Sequence, residues 1–342
     1  MISIQVISSD KEEKEKWQKY VDQHPRATFF HLIEWQEILK KVYGYEPFYL
    51  AATQTNQIKG ILPLFQINSL IRGKNLASLP FHFLGGPLGD HPEIEQSLID
   101  YSVKLARKLG CYNLRIKSCH SYPEPLQLNQ SYLSFKVPLK ENFEETAKQF
   151  GETTRRHIRS GLRNNRIDLV ESLDQLKSFY ALFVKSTRRI GIPPHSFKLF
   201  KELWEKFGPE QKVRITLAAC RDSYVAGHVA LNFKGSVLYM WGALDRTGKS
   251  KGFQALQGEA MNWAIKNGYK FYDLGWTHPQ AAGVLHYKRH FGAWESPVHF
   301  YSLAAEDKLD YHQSFPLAKT VWRRLPAPLI KIISPWLAKQ AG

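Results

Sequence analysis

Apolar and polar positions along this chain alternate with two different periods, and the periods occur in the same order twice. Residues 49–64 (YLAATQTNQIKGILPL) and 216–231 (TLAACRDSYVAGHVAL) each read as an apolar strand, a polar turn and a second strand, which predicts a hairpin. The blocks align without gaps: Leu50-Ala51-Ala52, Gly60 and Leu64 match Leu217-Ala218-Ala219, Gly227 and Leu231, and Ile58 matches Val225. Amphipathic helices are predicted ahead of each hairpin, over 33–43 around Trp35 and over 174–189 and 195–207. After each hairpin comes a helical segment, 94–109 and 253–267, whose last turns share Ala-x-Lys-x-Gly (105–110 and 263–268). Gly110 and Gly268 stand where a helix ends in a left-handed residue, and strands follow at 112–117 and 270–275.

The order helix, hairpin, strand, helix, strand therefore occurs twice. It predicts an α/β (α+β) protein built from two copies of one domain, each a mixed, mostly antiparallel sheet flanked by helices. The expected bounds are 1–150 and 151–316, with the junction near 139–155 and a basic amphipathic tail over 317–342. The length of 342 residues suits two domains, and 43% hydrophobic against 23% charged residues excludes a disordered or fibrous chain. Three cysteines without paired metal-ligand spacing predict neither a disulfide framework nor a metal site, and point to a reducing compartment. The first residues carry no apolar stretch flanked by basic ones, which predicts no signal peptide, and no apolar run reaches the length of a membrane span. A cytoplasmic protein is expected.

Charge changes this picture, because it is not evenly spread. Residues 1–150 hold 18 Lys and Arg against 16 Asp and Glu, whereas 151–342 hold 29 against 15. The excess predicts an anionic, phosphate-bearing partner for the second half. Its densest part is RRHIRSGLRNNR (155–166), where Arg155, Arg159 and Arg163 recur every four residues on one helical face. That face is either a phosphate-binding surface or a solvated one.

The stretch FQALQGEAMNWAIKNGYKFYDLGWTHPQAAGVLHYKRHFGAW (253–294) carries a helix, Gly268, a strand with Asp273, a loop, Tyr287-Lys288 and Phe291-Gly292. It resembles the Fem family, tandem-GNAT proteins that attach amino acids to peptidoglycan precursors from aminoacyl-tRNA. FFHLIEWQEILKKVYGYEPFYLAA (29–52), with Trp35 on a helix, is also family-like. The resemblance covers roughly 25–302. It implies that strands 237–244 and 270–275 splay apart around the donor's acyl arm, with the donor phosphates at the N-terminus of the following helix. Two departures stand out. No coiled-coil insertion is present in the second half. Lys249-Ser250-Lys251-Gly252-Phe253-Gln254 matches the usual acetyl-CoA motif only at its central glycine.

On this reading the chain is an N-acyltransferase that moves an aminoacyl or acyl group onto an amine of a cell-envelope precursor, peptidoglycan precursor or related glycolipid. The donor is aminoacyl-tRNA or acyl-CoA, and no tightly bound cofactor is expected. Lys288 is the candidate for stabilising phosphate or developing negative charge, and Asp273 for orienting the amine or taking its proton. Lys249, Lys251, Gly252, Gln254, Arg155 and Arg159 are the donor-binding candidates. Trp35, Tyr239, Trp241, Trp276 and Tyr287 are the acceptor-side candidates, against the alternative that large aromatics on strands and helices are core. His278 and His286 lie in the intervening loop as further proton-transfer candidates. The first copy lacks the Lys-rich loop. Its counterpart, PFHFLGGPLGDHP (80–92), predicts lost donor binding and an acceptor role through Gly85 and Gly86.

Three other readings compete. An acyl-CoA-dependent N-acetyltransferase of exopolysaccharide biosynthesis shares every feature except the donor. A nucleic-acid-binding protein, with tRNA as one partner, would use the basic half without catalysis. An ATPase would use Ala243–Ser250, a relaxed Walker A pattern lacking its first glycine. The tail over 317–342 alternates apolar and basic residues, and predicts peripheral contact with the inner membrane face through Trp322 and Trp336.

Overall fold

The computed structural model describes all residues except Met1, Ser8, Ser9, Ile71, Arg72, Phe83, Pro123, 246–249, 305–319, Val321 and Gly342. Two compact units divide the chain: 1–131 with 298–314 and 336–342, and 132–297 with 315–335. The division precedes the expected junction. Strand β7 (Gln127–Pro138) ends inside the second unit, because Phe135 and Val137 belong to that unit's core with Phe150 and Tyr272. Conversely, the end of β13 (Trp294–Ser302) belongs to the first unit, where it pairs antiparallel with β6 (Asn113–Ser118).

The first unit runs β1 (Ser3–Val6), α1 (Lys11–Gln23), α2 (Ile33–Tyr43), β2 (Glu46–Gln54), β3 (Gln57–Ser69), β4 (Gly73–Ala77), β5 (Leu88–Gly89), α3 (Pro92–Lys108) and β6. Strands β1 to β4 pair antiparallel in sequence order, and β4 pairs parallel with β6. Leu50, Leu62, Leu64, Leu76 and Leu114 pack against Ile94, Leu98 and Ile99 of α3.

The second unit repeats that order. It runs α4 (Phe143–Ala147), α5 (Glu152–Asn164), β8 (Arg166–Leu169), α6 (Leu173–Ile190), α7 (Phe197–Phe207), β9 (Val213–Cys220), β10 (Ser223–Phe233), β11 (Ser236–Leu244), α8 (Gly252–Lys266), β12 (Phe271–Thr277) and α9 (Ala282–Arg289). Helix α10 (Ala327–Ala341) follows in the chain, its residues up to Pro335 counted with the second unit and those from Trp336 with the first. Strands β8 to β11 pair antiparallel, β11 and β12 parallel, and β12 and β7 antiparallel. Both hairpins, both following helices and their order are those read from the repeat. Gly110 and Gly268 take φ values of +66° and +77°, as expected past a helix end. An antiparallel neighbour on one side of β11 is also incompatible with the parallel sheet that surrounds a phosphate-binding P-loop, so the Walker-like stretch is not one.

The matched glycines do different jobs. A Cβ on Gly60 would stand 2.5 Å from Ile94 of the helix that follows its hairpin, whereas one on Gly227 would stand 2.6 Å from Phe179 of a helix that precedes its own. Helices α6 and α7 cover one face of the second sheet. Helix α8, in turn crossed by α5, covers the other.

Candidate active site

The parallel ladder between β11 and β12 is short. It joins Ser236 to Phe271, Val237 to Tyr272 and Leu238 to Asp273, and then ends although both strands continue. The hydrogen-bonded ladder therefore stops at Leu238 and Asp273, leaving Asp273 at its end and Tyr239 as the first β11 residue past it. On its other side β12 carries a bulge. Asp273 pairs with Lys136 and Trp276 with Ser134, so two residues of β12 face one of β7. Gly275 absorbs the bulge at φ +70°, and its N–H donates to the Asp273 carboxylate at 2.7 Å.

Lys288 fills this irregularity. On α9, Leu285 and Lys288 are buried, and Phe291 follows in the same three-residue register. The Lys288 Nζ donates to the Gly275 carbonyl at 3.1 Å and the Trp276 carbonyl at 3.2 Å, and stands 5.5 Å above the Phe135 ring. The bulge has thus freed two carbonyls from the ladder, and the buried ammonium takes them. Burial lowers the Lys288 pKa to about 8, against the attraction of Asp273. Burial raises the Asp273 carboxyl above its ordinary value, partly opposed by Lys136, the Gly275 N–H and Lys288. The two groups are ringed by protein, yet Asp273 keeps a partly accessible surface, as expected in a cleft.

Tyr287 precedes Lys288. Its ring packs edge-on against Phe291 at 5.3 Å, and its hydroxyl is buried without a hydrogen-bond partner. Burial raises its pKa, so the phenol keeps its proton. After α9, Gly292 takes φ +63°, and a Cβ there would stand 2.8 Å from the Gln149 carbonyl oxygen. That accounts for the glycine of the Phe291-Gly292 pair. Replacing Gly275 by alanine should cost about 1 kcal/mol of stability from its left-handed φ. It should also lower transfer roughly tenfold by shifting the carbonyls that hold Lys288. Denaturant unfolding and steady-state rates on the same variant check both effects.

The other candidates separate. Tyr239 is stacked on His228 at 5.2 Å and edge-on to Phe253 at 5.6 Å, forming a wall beside the end of the ladder. Trp241, two residues on, does not share that face. Val229 pairs with Trp241 and Ala230 with Tyr239, so Met240 is an extra residue that inverts the alternation. Trp241 packs instead on Phe200 and His195 under α7, as core. Trp35 is likewise core, fully buried in the first unit against Phe29 and Phe30. Neither ring is offered to a ligand. Trp276 packs edge-on against Tyr132 at 4.4 Å and contributes its carbonyl to Lys288. His278 caps a turn through a bond from the Gln280 N–H, and His286 packs on His290.

On the donor side, Lys249 lies outside the described residues. Lys251 is the α8 N-cap at φ +56°, Gly252 begins the helix and Gln254 is half-buried in its first turn. Helix α5 crosses closely here. A Cβ on Gly161 would stand 2.6 Å from the Lys251 carbonyl, and Asn165 donates to the Ser250 carbonyl at 2.6 Å. The α5 side chain beside Lys251 is His157, whose pKa falls through burial and the neighbouring Lys251 and Arg156 charges. Arg155 flanks the packed stripe Thr154, Ile158, Gly161 and Asn165, and Arg159 turns outward to Glu144 at 3.7 Å. The arginine stripe is thus largely a solvated face. Sequence reading missed His157, Tyr272 and His228. The last two form a buried chain with Gln257, with oxygen and nitrogen atoms 2.8 Å apart.

The first unit has the same strand pair, which stays joined past its ladder among the described residues. Beyond the β4–β6 ladder, the Ser78 N–H donates to the Arg115 carbonyl and the Lys117 N–H to the Ser78 hydroxyl. The Lys117 Nζ is buried on the Leu79 carbonyl, and Gly85 and Gly86 pack tightly on Leu79 and Lys117. The first turn of α3 presents Glu93 and a buried Glu95, which is held by Arg26, His120 and Tyr122. Carboxylates at a helix N-terminus take the place an anion would occupy. Gly85 and Gly86 are packing residues rather than an open surface.

Residues 148–289 match the family model described as an acetyltransferase (GNAT) domain. No curated protein sequence matches the chain. The fold is similar to that of FemX, with a TM-score of 0.66 at 14% identity over 87% of this chain and 96% of that one. It is similar to a tandem GNAT protein from the clavulanic acid biosynthesis pathway, with a TM-score of 0.54 at 9% identity over 90% and 100%. It is also similar to the C-terminal domain (DUF2156) of a candidate lysylphosphatidylglycerol synthetase from Agrobacterium fabrum, with a TM-score of 0.55 at 11% identity over 86% and 92%. An acyltransferase domain replaces the reading of the basic half as a non-catalytic nucleic-acid binder.

Proposed function

We propose that this chain, a GNAT acyltransferase with a Fem-type tandem fold, moves an aminoacyl or acyl group from a phosphate-bearing donor to an amine of a cell-envelope precursor. The observation that carries the reading is the interrupted β11–β12 ladder, with Asp273 at its end and Lys288 held on the bulged strand beside it.

The chemistry follows from these two groups. The acceptor amine attacks the donor carbonyl carbon, a C–N bond forms and the carbonyl electron pair moves to oxygen. The Lys288 ammonium stabilises that charge in a site where burial strengthens every electrostatic interaction. Asp273 takes the amine proton, and its raised pKa makes it a better base than an exposed carboxylate. The ester C–O or thioester C–S bond then breaks, and the proton that Asp273 has taken passes to the leaving oxygen or sulfur. The donor's phosphates would rest at the first turn of α8 beside Lys251, where helix N–H groups and the helix dipole favour an anion. The first unit, with its own strand pair joined, is left the acceptor.

Two donors fit this chemistry. The Agrobacterium relative's description names an aminoacylated lipid as product, which favours aminoacyl-tRNA and an envelope acceptor at the inner membrane face. The acetyltransferase family model favours acyl-CoA, and with it the N-acetylation of an exopolysaccharide precursor. Thermal unfolding with charged tRNA, and separately with acetyl-CoA, decides between them. A donor present at about a hundred times its Kd should stabilise the fold by about 2.7 kcal/mol. A chain stabilised by neither would overturn the proposal.

A further inference from the structure

Helix α10 is apolar on both faces. Ile330, Ser334 and Ala338 are buried at intervals of four, as in any helix docked on its own protein. The outward side should then be polar, and it is not. Leu329, Ile332, Ile333 and Trp336 follow at intervals of three, four and seven from the first, which puts them on one stripe. They are 46%, 74%, 37% and 50% exposed. Beside the last turn, the Leu70 N–H donates to the Gln340 side chain while the Leu70 side chain is 84% exposed. Arg323, Arg324 and Lys331 are exposed along the same segment, and no Asp or Glu follows Asp310 in the chain.

We infer that this stripe is a docking surface for an anionic lipid bilayer, with α10 lying in the plane of the interface. A row of large apolar side chains with Arg323, Arg324 and Lys331 exposed along the same segment suits a surface that is apolar below and negatively charged above. At 15 residues the helix is about 22 Å long, short of the roughly 30 Å hydrocarbon core, so it lies on the membrane rather than across it. Trp336 is well suited to the headgroup level, and Lys331 can extend toward the phosphates while its stem stays apolar. Trp322, the other tryptophan expected there, is buried and takes no part. The inference does not rest on the acyl-transfer reading, and vesicle binding is measured without donor or acceptor.

The test is co-sedimentation of the full chain with sucrose-loaded vesicles of phosphatidylcholine alone, or mixed with phosphatidylglycerol, at low and high salt. The chain should pellet with the mixed vesicles, and at least about tenfold more weakly with neutral ones or at high salt. The double variant Ile332→Glu, Trp336→Glu changes only exposed positions. It should lose vesicle binding about tenfold or more while keeping its melting temperature and its transfer to a soluble amine. Arg323→Ala with Arg324→Ala should weaken only the anionic component. Equal binding to both vesicle types, no binding by the unaltered chain, or unchanged binding by the double-Glu variant overturns the inference. So does light scattering that shows a dimer abolished by the double-Glu variant without vesicle binding, which would assign the stripe to a second copy of the chain.

Discussion

Lys288→Met should leave the chain folded and lower kcat/KM for amine acylation by about 100-fold or more. The stability side of this expectation is unusual. The Lys288 pKa of about 8, against an ordinary 10.5, means that burying its charge costs about 3 kcal/mol at neutral pH. Methionine removes that cost and fills similar volume. It leaves the Gly275 and Trp276 carbonyls without their donor, an opposing loss of about 1–3 kcal/mol. The two nearly cancel, so the variant's unfolding free energy at pH 7 should lie within about 2 kcal/mol of the parent's. The pH dependence separates them. A lysine whose folded pKa is depressed binds more protons when unfolded, so the parent should gain stability as pH rises from about 8 to 10.5, and the methionine variant should not. With saturating substrates, the parent's kcat should fall above about pH 8 as the ammonium is lost. Lys288→Arg should move that limb upward. A parent rate that instead rises through pH 8 to a plateau would mean that Lys288 works as a neutral amine.

Asp273→Asn should lower kcat by about 100-fold to 10,000-fold while KM changes little. Asparagine retains an oxygen for the Gly275 N–H, so the bulge and the Lys288 anchor should survive. What it cannot do is take a proton. Because burial raises the Asp273 pKa, its ionised form destabilises the fold at neutral pH, and protonation relieves this. The parent should therefore gain a stability contribution as pH falls through the folded pKa toward 3.8, and the asparagine variant should lack it. The variant should also lose the acid limb of the kcat profile. Urea unfolding across acid pH and steady-state kinetics on matched samples check both. A variant that keeps full kcat would place the base elsewhere.

Much of the site can be seen in the sequence with hindsight. The register Leu285, Lys288, Phe291 puts a lysine on an otherwise apolar inward stripe, and a charged residue there signals chemistry rather than solvation. Other positions could not be read. Tyr239 and Trp241 look equivalent by strand alternation, and only the extra residue Met240 sends them to opposite faces. A bulge is set by the partner strand's register, which a single strand does not carry. Trp35 and Tyr287 are both aromatic residues on helices, yet one ring closes a core while the other's hydroxyl is left unpartnered. Arg155 and Arg159, recurring every four residues, are donor-side candidates together with Lys251. The helix phase that α5 adopts against α8 gives Lys251 to His157 instead.

Period, turn glycines and internal repetition are local properties of the chain, and they determined the duplicated order of helix, hairpin, strand, helix and strand. Asp273 and Lys288 stand out through the family resemblance instead, and the sequence pattern predicts a loop where α9 carries Lys288. The tertiary structure decided in which copy the ladder is interrupted. In the second unit the parallel ladder stops at Leu238 and Asp273, and the bulge at Gly275 hands two carbonyls to Lys288. In the first, Ser78 and Lys117 continue the bonding and Glu95 stands at the helix end. Whether two strands stay joined depends on backbone partners brought together from distant positions. The same is true of a buried amine's pKa, because both are set by what the fold places within a few ångströms.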